Sequence, residues 1–281
     1  MPALLEIEDI HTYFSTNEGI VKAVNGISLS LHENRVLGVV GESGSGKTMT
    51  ALSILQLVPF PGDVVKGKIT YDGQDLLNMP VSQLRRIRGK EISLIFQDAG
   101  AALNPVISVG KQVEELMLEH TDMSKRQARA FAAELLSQMG IPDANEMLDR
   151  YPFQLSGGMA QRVLLAIGVA LKPRILIADE PTSNLDVTLQ AEILHRLRRL
   201  REENGTAIML ITHDLGVVAE VADRVAVMYA GRVAEIGPVR DVVKHAQHPY
   251  TKGLMGSIPS LGVRHERLTQ IDGAMPRLTE I

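Results

Sequence analysis

Five mostly apolar residues, Val36-Leu37-Gly38-Val39-Val40, run into Gly41-Glu42-Ser43-Gly44-Ser45-Gly46-Lys47-Thr48, and a helical pattern over 48–57 stops ahead of Pro59. The spacing G-x-x-x-x-G-K-T between a strand and a helix is that of a Walker A phosphate-binding loop. Its glycines let successive backbone N–H groups turn inward around phosphate oxygens, where a Cβ would obstruct them. A helix starting near Lys47 aims its positive dipole end at the same point. The Lys47 ammonium can then reach the β- and γ-phosphates, and the Thr48 hydroxyl can ligate Mg²⁺. The stretch predicts an α/β chain with a nucleoside triphosphate site at the end of a buried strand.

Composition narrows the remaining classes. A net charge of −4 provides no global basic field to draw the chain to nucleic acid or anionic lipid. With no cysteine there is no disulfide or thiolate metal site, which fits a reducing compartment. The segment Met1-Pro2-Ala3-Leu4-Leu5-Glu6 lacks the basic and apolar regions of a leader. The longest apolar run, 163–171, is about half of the ~20 residues a bilayer span needs. Membrane association is therefore expected to go through a partner.

Along the chain, residues 4–10 and 27–31 read as strands flanking a turn-rich segment at 15–19, and 67–74 as a hairpin ending at Asp72-Gly73. Residues 92–96 read as a buried strand ending at Gln97. From 109 to 139 apolar residues recur every three or four positions (Val113, Leu116, Met117, then Phe131, Leu135, Met139), the mark of helices. This block interrupts an α/β pattern and reads as an inserted helical subdomain over about 98–160. Helices are expected over 159–171 and 187–203, and strands over 175–178, 207–211 and 225–229. The sheet pattern ends near 240, so 241–281 reads as an irregular extension of a domain covering 1–240.

Asp179 follows four apolar residues, as a Walker B aspartate holding Mg²⁺ would, and Glu180 beside it can orient an attacking water. Leu155-Ser156-Gly157-Gly158-Met159 opens a helix with two glycines and an N-cap-like serine, a second anion-binding device. One chain thus carries two such devices and one Walker lysine. Either both close on one nucleotide, or two chains pair head to tail and each lends its Ser-Gly-Gly helix to the other.

Residues 41–48, Gln97, Leu155-Ser156-Gly157-Gly158-Met159-Ala160-Gln161-Arg162, residues 175–180, Ser183-Asn184-Leu185-Asp186 and His213 stand in the order and spacing of an ABC transporter nucleotide-binding subunit, which the chain resembles over about 4–240. The resemblance implies a P-loop ABC cassette: a RecA-like core with an antiparallel β subdomain and an inserted α-helical subdomain. It further implies two ATPs sandwiched between the Walker A loop of one subunit and the signature (Ser156, Gly157, Gly158) of the other. By position, Gln97 is the Q-loop glutamine on Mg²⁺ or water, Glu180 the catalytic base, His213 the switch histidine on the γ-phosphate and Asp186 the D-loop aspartate at the dimer interface. Phe14, with Tyr13 second, matches the aromatic that stacks on adenine. Asn184 stands where many relatives have alanine. Outside this pattern, Arg196, Arg198, Arg199 and Arg201 read as a solvated helix face rather than a nucleic-acid surface, and His245 and His248 have no convincing metal-ligand set around them.

Finer segments resemble the oligopeptide/dipeptide/nickel permease group of importers: Phe96-Gln97-Asp98, Leu103-Asn104-Pro105, Tyr151-Pro152-Phe153-Gln154, Leu185-Asp186-Val187-Thr188 and the tail motif His248-Pro249-Tyr250-Thr251-Lys252-Gly253-Leu254. That group implies a peripheral subunit on the cytoplasmic face of the inner membrane. Its expected partners are two transmembrane permeases, a second ATP-binding subunit (paralogue or self) and an extracytoplasmic solute-binding protein, with no nucleic acid. The expected cargo is a dipeptide or oligopeptide; nickel- or opine-type import, or a soluble non-transport ABC ATPase, are the alternatives. The resemblance implies that most close relatives continue beyond a stretch like 271–276 into a cysteine-rich iron–sulfur segment; the 281 residues here contain no cysteine for one.

Overall fold

The computed structural model describes residues 2–183, 185–256 and 276–279. Asn184 and most of the segment 271–276 lie outside them. The chain begins with β1 (Leu5–Thr16), β2 (Gly19–Leu31), β3 (Val36–Val40), α1 (Lys47–Ile54), β4 (Gly62–Tyr71) and β5 (Gln74–Asp75). There follow α2 (Val81–Ile87), β6 (Ile92–Ile95), α3 (Ala99–Ala102), α4 (Val109–His120), α5 (Lys125–Gln138), α6 (Ala144–Met147), α7 (Gly157–Val169), β7 (Ile175–Asp179) and α8 (Val187–Asn204). The described chain closes with β8 (Ala207–Thr212), α9 (Leu215–Val221), β9 (Arg224–Tyr229), β10 (Arg232–Pro238), α10 (Val239–His245) and α11 (Pro249–Gly256). Packing divides it into two units, Met1–Met79 with Met209–Ile281, and Pro80–Ile208.

In the first unit an antiparallel sheet runs β2-β1-β4-β5. Strand β1 is longer than its alternation announces, because register shifts between Ile7 and Ile10 and between Thr12 and Tyr13 break the period of two. Ser15 and Thr16 extend it, and β2 restarts at Gly19, so the turn-rich segment is a tight hairpin. Elsewhere in this unit β3 pairs parallel with β9, and β9 antiparallel with β10. Every residue of β3 is buried, as a strand covered on both faces requires. Gly38 is needed there: a Cβ would lie 2.4 Å from Val218 of α9.

In the second unit β6 and β7 pair parallel, Ile92 with Ile175 through Ile95 with Ala178. Helix α7 lies close to this pair, since a Cβ on Gly168 would meet Ile95 at 2.7 Å. Helices α4 and α5 bury Val113 and Met117, and Ala128, Ala132, Leu135 and Leu136. A full capping box, Ser124 with Gln127, starts α5. The solvated-face reading of the arginines holds for the exposed Arg199, paired with Glu203, but not for Arg196. Its side chain is 20% exposed, donates to the Gln138 carbonyl at 2.6 Å and shares Glu192 with Arg162. Among the described residues no helix is long and apolar enough to cross a membrane.

Candidate nucleotide site

In the first unit β3 delivers the chain into residues 41–48. Gly41 and Gly46 adopt φ of +155° and +101°, and a Cβ on either would lie 2.2 Å from the Met228 carbonyl oxygen or 2.3 Å from that of Ala23. Only glycine fits, so the loop is drawn tight against its neighbours. It is pinned from outside as well: Gly231 N–H donates to the Ser45 carbonyl at 3.0 Å, and Asn25 N–H to the Gly231 carbonyl at 2.7 Å. The Lys47 ammonium, 6% exposed, folds back to donate to the carbonyls of Gly41 at 2.8 Å and Glu42 at 2.9 Å. Glu42, Ser43 and Gly44 are exposed at the rim, and Thr48 is half-buried.

Two features test whether a phosphate group fits here. Helix α1 has Gly46 as its N-cap and no side-chain cap, whereas α7 and α8 are capped by Ser156 on Met159 N–H and Asp186 on Leu189 N–H. An N-terminus without a protein cap, at the end of a glycine loop, suits an anion. In addition, the Ser45 hydroxyl oxygen is fully buried with no hydrogen-bond partner among the described residues. The donor-rich cradle fits a polyphosphate.

The aromatics of β1 separate by their contacts. The Tyr13 hydroxyl donates to Asn25 Oδ1 at 2.9 Å and hydrogen-bonds His11 Nδ1 at 2.9 Å, so it is committed within the sheet. The half-buried Phe14 ring instead lies over Gly62, where a Cβ would sit 2.5 Å from Phe14 Cε1. His213 is exposed at the end of β8, ahead of α9, whose N-cap Asp214 accepts from Gly216 and Val217 N–H.

In the second unit Asp179, 2% exposed, ends β7 and Glu180, 9% exposed, follows it. Glu180 has φ +45°, a left-handed conformation uncommon for a residue with a side chain. Its surroundings fix that conformation: Ser183 donates from N–H and Oγ to the Glu180 carbonyl at 3.1 and 3.0 Å, and buried Gln161 donates to the Pro181 carbonyl at 2.9 Å. The structure brings Gln97 to this carboxylate, Nε2 donating to Oε2 at 3.1 Å. Ser156 and Gly157 are exposed at the start of α7. A Cβ on Gly157 would meet nothing within 4 Å, whereas one on Gly158 would meet Leu189 of α8 at 2.8 Å. Among the described residues no cluster of three His, Cys, Asp or Glu could hold a metal; Mg²⁺ on a nucleotide needs only one or two carboxylates besides the phosphates.

One functional contact escaped the sequence reading. The hydroxyl of Tyr250, 208 residues away, accepts Glu42 N–H at 3.2 Å. Nothing in spacing announces it; the only signal is an aromatic inside the tail motif.

A family model described as ABC transporter matches residues 24–183, more than half of the chain. The chain belongs to the ABC transporter family. It is an ATP-hydrolysing ABC cassette of the α/β P-loop class. A second model, described as the oligopeptide/dipeptide transporter C-terminal region, matches 234–281. The dipeptide transport ATP-binding protein DppD of Bacillus subtilis is 48% identical over 99% of this chain and 83% of its own length. The oligopeptide transport ATP-binding protein OppD of the same organism is 46% identical over 98% of this chain and 78% of its own. Among solved structures, the ATP-binding cassette MJ0796 in a dimeric post-hydrolysis state bound to ADP and Pi is similar with a TM-score of 0.76 at 27% identity, covering 84% of this chain and 99% of that one. The ABC transporter cassette cbiO1 from Clostridium perfringens gives 0.70 at 26%, covering 87% and 92%.

Proposed function

We propose that this chain is the ATP-binding and ATP-hydrolysing subunit of an importer that draws dipeptides or oligopeptides across the cytoplasmic membrane. One observation carries the reading: a phosphate-loop cassette is joined to a C-terminal region of oligopeptide/dipeptide type, and peptide-transport ATP-binding proteins align with 98% and 99% of the whole. It works at the cytoplasmic face beside two transmembrane permeases and a second ATP-binding subunit, and an extracytoplasmic solute-binding protein delivers the cargo. The cassette spans about 1–240, with a helical subdomain near 98–160, and 241–281 is the permease-type extension.

The proposed roles are those that position in the family pattern implies. Backbone N–H groups within residues 43–48 cradle the phosphates, Lys47 contacts the β- and γ-phosphates, and Phe14 stacks on adenine. Thr48, Gln97 and Asp179 would hold Mg²⁺, which when bound would supply positive charge against the phosphates. Glu180, oriented by Gln97, accepts a proton from the attacking water, and His213 contacts the γ-phosphate. Ser156, Gly157, Gly158 and Asp186 serve the nucleotide of the partner cassette. The exposure of Gly157, with nothing among the described residues to require a glycine, supports this role.

The test is uptake into proteoliposomes carrying both permeases, both ATP-binding subunits and the binding protein. ATP-dependent accumulation of a labelled dipeptide or oligopeptide, lost with Lys47→Ala, is expected. Accumulation of a nickel chelate with no peptide uptake would overturn the cargo assignment.

A further inference from the structure

The tail motif His248-Pro249-Tyr250-Thr251 has no part in the nucleotide chemistry assigned above, yet it is tied to the phosphate loop. The Glu235 carboxylate of β10 accepts Gln247 N–H at 2.9 Å and His248 N–H at 3.1 Å. His248 Nδ1 then accepts Tyr250 N–H at 3.1 Å, which sets the first turn of α11. This places the Tyr250 ring, 6% exposed, against Tyr229 at the end of β9, with centroids 4.5 Å apart. From there its hydroxyl accepts Glu42 N–H at 3.2 Å.

That N–H and the Gly41 carbonyl belong to one peptide group. The carbonyl end takes the Lys47 ammonium at 2.8 Å, so the peptide is held at both ends, by the Walker lysine and by the tail tyrosine. A peptide plane gripped at its N–H cannot flip, and its carbonyl stays directed at Lys47. Burial, the largest influence, pushes the Tyr250 phenol up despite the Glu42 N–H, so the ring oxygen is a neutral acceptor at physiological pH.

We propose that Tyr250 is a positioning residue for nucleotide binding: through the Gly41–Glu42 peptide it holds Lys47 over the phosphate loop, and so makes the C-terminal extension part of the ATP site. Preorganised groups bind without a further ordering cost, so losing the hydroxyl weakens ATP binding while leaving the hydrolytic step, served by other residues, alone. The inference rests on residues 41–48 being the phosphate site.

The experiment is equilibrium binding of Mg·ATP to the full chain by calorimetry, with melting temperatures, followed by steady-state ATPase in the assembled transporter. Tyr250→Phe keeps the ring on Tyr229 and removes only the acceptor. Tyr229→Phe changes the same stacked pair without touching the loop. Lys47→Ala reports on the phosphate site itself. Expected are a roughly three- to tenfold weaker Kd and higher KM for Tyr250→Phe, with kcat within about twofold, and Tyr229→Phe indistinguishable from wild type. Tyr250→Phe binding as wild type does, or both tyrosine variants weakening alike, would overturn the inference while Lys47→Ala still loses binding. If Lys47→Ala binds normally, the phosphate-site assignment fails, and this inference with it.

Discussion

Gln97 Nε2 donates to Glu180 Oε2 at 3.1 Å, joining residues 83 positions apart. The carboxylate is thereby turned toward the glutamine that follows β6, and its backbone is fixed at φ +45° by the loop beyond. Held in this way, the proposed base is ready to orient water without rearranging.

Glu180→Gln keeps this hydrogen bond but removes the basic oxygen. Its ATPase is expected to fall by about 100-fold or more, with ATP affinity within a few-fold of wild type. Gln97→Ala removes this one donor from the carboxylate and should cost at least about fivefold in kcat. Single-turnover hydrolysis and calorimetric binding separate these outcomes.

Gly62 offers a second check. Its side-chain space is filled by Phe14 Cε1 at 2.5 Å and Val58 at 2.7 Å, so Gly62→Val must displace the ring. On the proposed adenine stacking, worth about 1–3 kcal/mol, ATP affinity should then drop about as far as in Phe14→Ala. ATP and inorganic tripolyphosphate affinities measured side by side would show whether the lost contact involves the base: only ATP should weaken.

Glu192 lies between Arg162 and Arg196, each at 2.6 Å. The Arg196 hydrogen bond, the largest influence, holds its carboxyl below the usual range. Glu192→Ala leaves two half-sheltered guanidinium groups facing each other without the shared carboxylate, a loss of about 1–2 kcal/mol. Urea unfolding at neutral pH measures it.

Glu235 sets a pH dependence. Burial, the largest single influence, works to raise its carboxyl, but the Gln247 N–H, the nearby Thr251 hydroxyl and His248 together hold it below its ordinary value. The buried Thr251 hydroxyl adds to the pull from close by without meeting hydrogen-bond geometry. A carboxylate depressed in the folded state stabilises fully above its unfolded pKa, and that stability is lost as pH falls through the folded value. Unfolding free energy should therefore decline below about pH 4.5, and the decline should be smaller in Glu235→Gln.

What could be read from sequence divides along a physical line. The phosphate loop is local: eight consecutive residues specify their own turn, so strand β3, the glycines and α1 were legible. The same holds for α4 and α5, whose apolar spacing is written out. Strands β1 and β2 were only half visible, because bulges near Ile10 and Thr12 reset the alternation that announces a strand. Arg196 resembled any exposed helical arginine, since the carbonyl it caps, that of Gln138, belongs to another helix. The Tyr250–Glu42 contact was invisible for the same reason: it depends on where β9 and β10 deliver α11.

The central claim is that each cassette completes the ATP site of another. Among the described residues Gly157 has open space where a side chain would go, so Gly157→Asp should leave the melting temperature of the single subunit within about 2 °C of wild type. The most direct measurement is steady-state ATPase of the assembled transporter with Gly157→Asp, or its equivalent, in both ATP-binding subunits. Loss of at least about 100-fold in turnover, with Mg·ATP binding to the isolated chain retained, is predicted. Full turnover with both signatures disrupted would contradict the account.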